Sequence, residues 1–336
     1  MTEPHLLRRP GVLAVHSVNR FVYSVPDLAE AERFYAAFGL DVRRVAGVDV
    51  AGAAVGAQAG RLDLHTHGHP HCWASIYQGG GAKALQYLSL GIDAADMAAW
   101  RDRIGSAGLG CAPHPLCGDP PGTALWLTNP DAIALQLVAA PKVSPSEKCA
   151  RSAPAPAVAP GQGAAPARSK VAPVRPGMLS HVLFFTPDVP RMVAFGSQVL
   201  GLGLSDRSGE AIAFMHGRHG SDHHLMAFAK AAAPGLHHSS WSVGSIDEVG
   251  AGAEQMRNAG HTQGWGLGRH VLGSNYFHYV RDPWGSYAEY SFDIDFVPHD
   301  LDWPSADHPP QDSFYVWGPA VPADFVTNFE QPAGAA

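Results

Sequence analysis

The feature that most constrains this fold is that the chain repeats itself. Phe21-Val22-Tyr23-Ser24-Val25-Pro26-Asp27 is echoed by Val182-Leu183-Phe184-Phe185-Thr186-Pro187-Asp188. Each reads as a strand stopped by Pro-Asp, where proline suits the edge of a helix and aspartate caps it. Both predicted helices end in glycine turns, at Phe38-Gly39-Leu40 and Leu200-Gly201-Leu202. Leu88-Ser89-Leu90-Gly91-Ile92-Asp93 then corresponds to Trp241-Ser242-Val243-Gly244-Ser245-Ile246-Asp247, and amphipathic helices follow, ending at Ala107-Gly108 and Ala259-Gly260. A turn before each closing strand completes the match, Thr128-Asn129-Pro130-Asp131 with Arg281-Asp282-Pro283-Trp284. The unit is about 150–160 residues and reads β-α-β-β-β with a second helix before its later strands. An α+β protein of two similar domains is expected.

Between the copies, residues 143–177 are dense in Ala, Pro, Gly and Ser. Such composition offers no buried anchor and reads as a linker. The expected division is therefore 1–142, linker 143–177, second domain 178–296 and a C-terminal extension 297–336. At 336 residues the length allows two domains. A formal charge of -7 without dense Lys/Arg runs argues against a nucleic-acid surface. Cys72, Cys111, Cys117 and Cys149 lack any C-x-x-C spacing, so neither a zinc knuckle nor a redox pair is indicated. No apolar run approaches the ~20 residues of a membrane span. Arg8 and Arg9 precede no apolar h-region, so no signal peptide is expected and a cytoplasmic location is the default.

Three residues of the second copy stand out: His181, His238 and Glu289. Each lies within a short apolar stretch with strand character, Leu-Ser-His-Val-Leu-Phe-Phe, Leu-His-His-Ser-Ser-Trp-Ser-Val and Ser-Tyr-Ala-Glu-Tyr-Ser-Phe. Taken singly, a strand histidine is more often a satisfied half-buried side chain than a ligand, and Glu289 could serve a cross-strand ion pair. Together, two imidazoles and a carboxylate from separate strands form the facial set that holds non-haem Fe(II) with coordination positions open. Burying them without metal or partners would be costly. In the first copy His181 falls opposite Arg20, His238 opposite Leu85 and Glu289 opposite Gln136. Residues needed only for the module would tend to persist in both copies, so the asymmetry points to a metal site in the second alone.

With those residues in place, the chain resembles the two-domain type I extradiol ring-cleavage dioxygenases of the vicinal oxygen chelate superfamily, over roughly residues 15–140 and 178–296. The resemblance implies domains built from paired βαβββ units, each curving a sheet around a site, with iron in the C-terminal domain on His181, His238 and Glu289. It selects His238 over its neighbour His237, as the histidine directly before the hydrophobic strand. It also implies an acid–base histidine in Asp222-His223-His224-Leu225-Met226, assigned to His223, with His219 and His224 as alternatives in the same His-rich stretch. A further histidine after Gly-Arg, nineteen residues before the glutamate, is His270, and a tyrosine ten residues before it is Tyr279.

The implied reaction is opening of a catechol-type ring by O₂ at the bond beside the diol, with Fe(II), or Mn(II) on the same donors, as cofactor. The expected partner is a small aromatic diol, with no nucleic acid or membrane, in a homo-oligomer. Trp241, Trp265 and Trp284 are candidates to line an aromatic pocket. Two other readings share the scaffold. A glyoxalase-type isomerase or lyase usually brings an additional glutamate ligand, and the corresponding place here is not acidic. A silent binding protein would have no reason to keep His223, His270 and Tyr279. Gly264-Trp265-Gly266-Leu267-Gly268 lacks the strand-to-helix context of a phosphate cradle.

Overall fold

A computed structural model describes residues 7–46, 60–120, 122–149 and 158–330. The first copy runs β1 (Ser17–Val25), α1 (Leu28–Phe38), β2 (Asp41–Val45), β3 (Arg61–His65), β4 (Ala74–Gln78), β5 (Ala84–Ile92), α2 (Met97–Ala107), β6 (Ala124–Thr128) and β7 (Ala134–Ala139). The second runs β8 (Met178–Thr186), α3 (Val189–Gln198), β9 (Gly203–Ser208), β10 (Ile212–His216), β11 (Ser221–Asp222), β12 (Met226–Lys230), β13 (Gly235–Ser242), α4 (Ile246–Asn258), β14 (Gly264–His270), β15 (Tyr276–Arg281) and β16 (Tyr287–Phe292). Short strands β17 (Phe296–Val297), β18 (Ala306–Asp307) and β19 (Tyr315–Trp317) follow.

The two sheets repeat one topology. The first has the order β2-β3-β4-β1-β5-β7-β6, and the second contains β9-β10-β12-β8-β13-β16-β15-β14. In both, the opening strands of the two modules meet antiparallel at the centre, β1 with β5 and β8 with β13. Each central strand then pairs in parallel with the last strand of its own module. The α+β architecture of paired modules is thus observed, each βαβββ except the one that opens with β5, where only β6 and β7 follow the helix among the described residues. The capping chemistry is as expected: Asp27 accepts from the backbone N–H of Ala29 and Glu30, and Asp188 from that of Arg191.

The halves share one core. The Tyr290 ring stacks on Phe38 with centroids 3.9 Å apart, and its hydroxyl donates to the Phe38 carbonyl. Phe21 of β1 meets Trp241 of β13 in the same apolar cluster. Lys83 Nζ reaches Asp282 Oδ2 of the other half at 2.5 Å, with both side chains buried.

The absence of a buried anchor in 143–177 is corrected at both ends. Ser144 is buried and its backbone N–H donates to Ser17 Oγ. Val174 is buried between the halves: its N–H donates to Gln255 Oε1, and Gln255 Nε2 donates to the Ala37 carbonyl. Gly39 (φ +98°) approaches the Val174 carbonyl so closely that a Cβ there would sit 2.1 Å from the oxygen. One valine in an Ala/Pro background carries too little periodicity to reveal this. Residues 158–173, by contrast, are exposed.

The C-terminal extension is woven into the second sheet: β18 joins the β9 edge and β19 the β14 edge. Among the described residues, no helix is long and apolar enough to cross a membrane.

Candidate metal centre and active-site cavity

Strand register assembles the site. His181 on β8 and Glu289 on β16 both pair with Ser240 of the intervening β13. Tyr279 on β15 pairs with Glu289, and Trp265 on β14 with Tyr279. These residues form one row across the sheet, and His238 lies two residues along β13 from Ser240, on the same face. His181 Nε2 is 3.4 Å, and His238 Nε2 3.7 Å, from Glu289 Oε2. The donor atoms of the three buried residues lie within 4.8 Å of one another, the one such cluster of His, Cys, Asp and Glu found among the described residues.

The row fits a divalent cation. His238 Nε2 and Glu289 Oε2 are buried without a hydrogen-bond partner, and an orphaned buried polar atom costs about 1–3 kcal/mol. A cation between them would satisfy both. Burial alone would raise the Glu289 carboxyl, but His181 and then His270 outweigh it, holding the group below its ordinary value. Burial, reinforced by His237 and His181, pushes His238 well below an ordinary histidine, which keeps a lone pair for a metal.

The two histidine doublets are resolved by hydrogen bonds. A register shift between Leu236 and His238 marks a bulge in β13 that turns adjacent side chains to different tasks. His237 Nε2 donates to the Phe325 carbonyl at 2.8 Å, and its Nδ1 lies 2.6 Å from His238 Nδ1. His237 therefore stands behind His238 and leaves His238 Nε2 for the metal.

The second doublet requires a correction. His223, expected as the acid–base residue, points away from the cavity, with Nε2 2.8 Å from Asp206 Oδ2. His224 lines the cavity instead, its ring centroid 3.9 Å from that of His181. The pair lies outside any regular strand between β11 and β12, where alternation cannot decide which member faces inward.

His270 and Tyr279 are brought to the same wall. His270 Nδ1 donates to the Phe314 carbonyl at 2.9 Å, and its Nε2 meets the Tyr279 hydroxyl at 2.9 Å. Burial, followed by the Glu289 charge, raises the Tyr279 phenol well above its ordinary value. The cavity has an apolar wall from Leu183, Ile212, Phe214 and Ala229. Ser313, Phe314, Phe325 and Val326 of the extension close its other side. Trp241, Trp265 and Trp284 are not lining residues; Trp265 packs behind Tyr279 with centroids 5.7 Å apart.

The Glyoxalase/Bleomycin resistance protein/Dioxygenase superfamily profile matches residues 178–290, the part that holds the row. Metapyrocatechase 2 of Cupriavidus necator is 48% identical over 318 residues, covering 94% of this chain and 93% of its own. The chain belongs to the extradiol dioxygenases of this superfamily. Two solved structures share the fold. Homoprotocatechuate 2,3-dioxygenase from Arthrobacter globiformis matches with TM-score 0.69 at 17% identity over 97% of this chain and 95% of its own. The Mn(II)-bound glyoxalase from Novosphingobium aromaticivorans matches with TM-score 0.67 at 23% identity over 92% and 93%.

In the first half of this extradiol dioxygenase, the strand registers set Arg20, Tyr87 and Gln136 at the places of His181, His238 and Glu289. The expected pairing of His238 with Leu85 is thereby corrected to Tyr87: the same two bulges recur in β1–β5 and β8–β13, so Trp241 stands opposite Leu90, and the linear match of Trp241 with Leu88 is two residues out of register. That cup is filled by Tyr77, Tyr87, Leu116 and Trp126. Residues that carried no motif also touch the row. Asn275 donates to Glu289 Oε1 at 3.1 Å, and Ser180 Oγ meets His181 Nδ1 at 3.1 Å while donating to buried Asp222. Such support residues are common polar types, and only the fold reveals their partners.

Proposed function

We propose that this dioxygenase opens the ring of an uncharged catechol beside its diol, with Fe(II) held by His181, His238 and Glu289. The observation that carries this reading is the buried row itself, with two orphaned donor atoms at the head of an apolar cavity. When bound, the ion supplies a Lewis-acidic centre with open positions for the vicinal oxygens and O₂. The same donor set accepts Mn(II).

The remaining roles fall to this chain's own side chains. His224 takes a proton from a diol hydroxyl at Nε2 and later returns it, since its Nδ1 is occupied by His223. His270 and Tyr279 form a preset hydrogen-bonded pair that contacts substrate oxygen on the opposite wall. Leu183, Ile212, Phe214 and Ala229 hold the ring and exclude water. Among the described residues lining the cavity there is no Lys or Arg, so a carboxylated ring would leave its charge buried and unpaired. Those described lining residues include no carboxylate, and none joins Glu289 in the donor cluster, which disfavours the glyoxalase-type chemistry that uses a further acidic ligand.

A substrate panel tests this. Catechol and methylcatechols should give yellow ring-fission products, and ring-carboxylated catechols a kcat/KM lower by about 10² or more. Equal turnover of carboxylated rings, or isomerase activity without ring fission, would overturn the reading.

A further inference from the structure

We propose that Asp206 and His223 form a positioning dyad behind His224, fixing its tautomer so that Nε2 presents a lone pair to the cavity. The inference rests on the reading of His224 as the acid–base group. His223 Nε2 is 2.8 Å from Asp206 Oδ2, and His223 Nδ1 is 3.0 Å from His224 Nδ1. All three residues are buried.

The chemistry of the partners orders the protons. A carboxylate only accepts, so the proton of neutral His223 sits on Nε2. Its Nδ1 then accepts, and His224 Nδ1 must donate. That leaves Nε2 of His224 bare, the form in which an imidazole acts as a base. The other tautomer would turn an N–H to the cavity and could not take a proton there.

Asp206 is itself held in place. Oδ1 accepts from the Ala306 N–H at 3.0 Å and lies 2.9 Å from His308 Nε2, while Oδ2 also accepts from Trp303 Nε1 at 3.1 Å. All three partners belong to the C-terminal extension. The Trp303 ring stands edge-on to His223 with centroids 5.1 Å apart, so the dyad is packed as well as bonded.

The metal-side doublet supplies an internal comparison. His237 orders His238 through the same Nδ1–Nδ1 contact, but its far nitrogen meets a neutral carbonyl, that of Phe325. A ligand histidine stays neutral and needs only its tautomer fixed. A base acquires positive charge, and there the fold places a carboxylate instead. The dyad thus serves two ends, orientation at rest and stabilisation of the imidazolium once His224 is protonated.

The test is a double-mutant cycle on full-length, metal-replete protein with catechol. Asp206→Asn keeps the shape but allows an amide N–H to face His223, which would reverse both tautomers. It should lower kcat by about 10–10², part of the worth of a general base, with KM and metal content unchanged. In a His224→Gln background the same substitution should cost nothing further. His223→Phe, which keeps ring volume, should show the same pattern and serves if Asp206→Asn folds poorly. An equal loss in both backgrounds, or wild-type kcat in Asp206→Asn, would overturn the dyad. Wild-type turnover in His224→Gln alone would instead overturn the acid–base reading beneath it.

Discussion

Each functional histidine that follows another histidine is oriented by its predecessor. For His238 the predecessor is His237, anchored on the Phe325 carbonyl. Replacing His237 by phenylalanine keeps the ring but removes both hydrogen bonds. Metal affinity, measured by chelator competition, should weaken about 10–100-fold, the usual effect of losing a group that orients a ligand. Unchanged affinity would mean that packing alone orients His238. At this scale the sequence was legible wherever a strand fixed the direction of a side chain. His181, Glu289 and Tyr279 sit on paired strands and could be read by spacing. The inward member of Asp222-His223-His224 could not, because irregular backbone gives no alternation, and Asp206 lies too far along the chain to be linked to it. Asn275 and Ser180 were silent for another reason, being ordinary polar residues until a neighbouring strand brings a partner.

Among elements, the repeat was the most legible feature, because Pro-Asp helix starts and glycine turns are chemical requirements of the module. The segment between the copies was legible only in part. Its composition describes residues 158–173, which are exposed, but not Val174, buried against Gln255. Excision of residues 160–166 should therefore leave folding and metal content intact, since shortening an exposed connection changes its closure entropy little. Excision extended through Val174 should lower the unfolding midpoint in denaturant. Equal stability of the two deletions would contradict the anchoring role of Val174. The extension after β16 was opaque in the sequence because its strands are two or three residues long, too short for a period. It nevertheless closes the cavity through Phe314 and Phe325 and steadies both histidine doublets.

The whole molecule is two halves on one core, with the His181, His238 and Glu289 cluster in the second. Its many buried histidines give it a pH signature. Burial, the largest cause in each, pushes His16, His216, His219 and His278 from 6.5 down to about 4. Between those values the unfolded chain binds protons that the folded chain does not, so stability falls as pH is lowered through that window. The unfolding midpoint of the metal-free protein should drop steadily from pH 6.5 toward 4. A flat profile over that range would show these rings to be hydrated or paired with acids. On the proposed reading, the row of His181, His238 and Glu289 directs dioxygen to the bond beside a catechol's diol. This is tested most directly by one turnover of Fe(II)-loaded protein with catechol and ¹⁸O₂, with the product trapped at once for mass spectrometry. The expected product is a ring opened beside the diol that carries both labelled atoms. Cleavage between the two hydroxyl-bearing carbons, or incorporation of a single label, would contradict it.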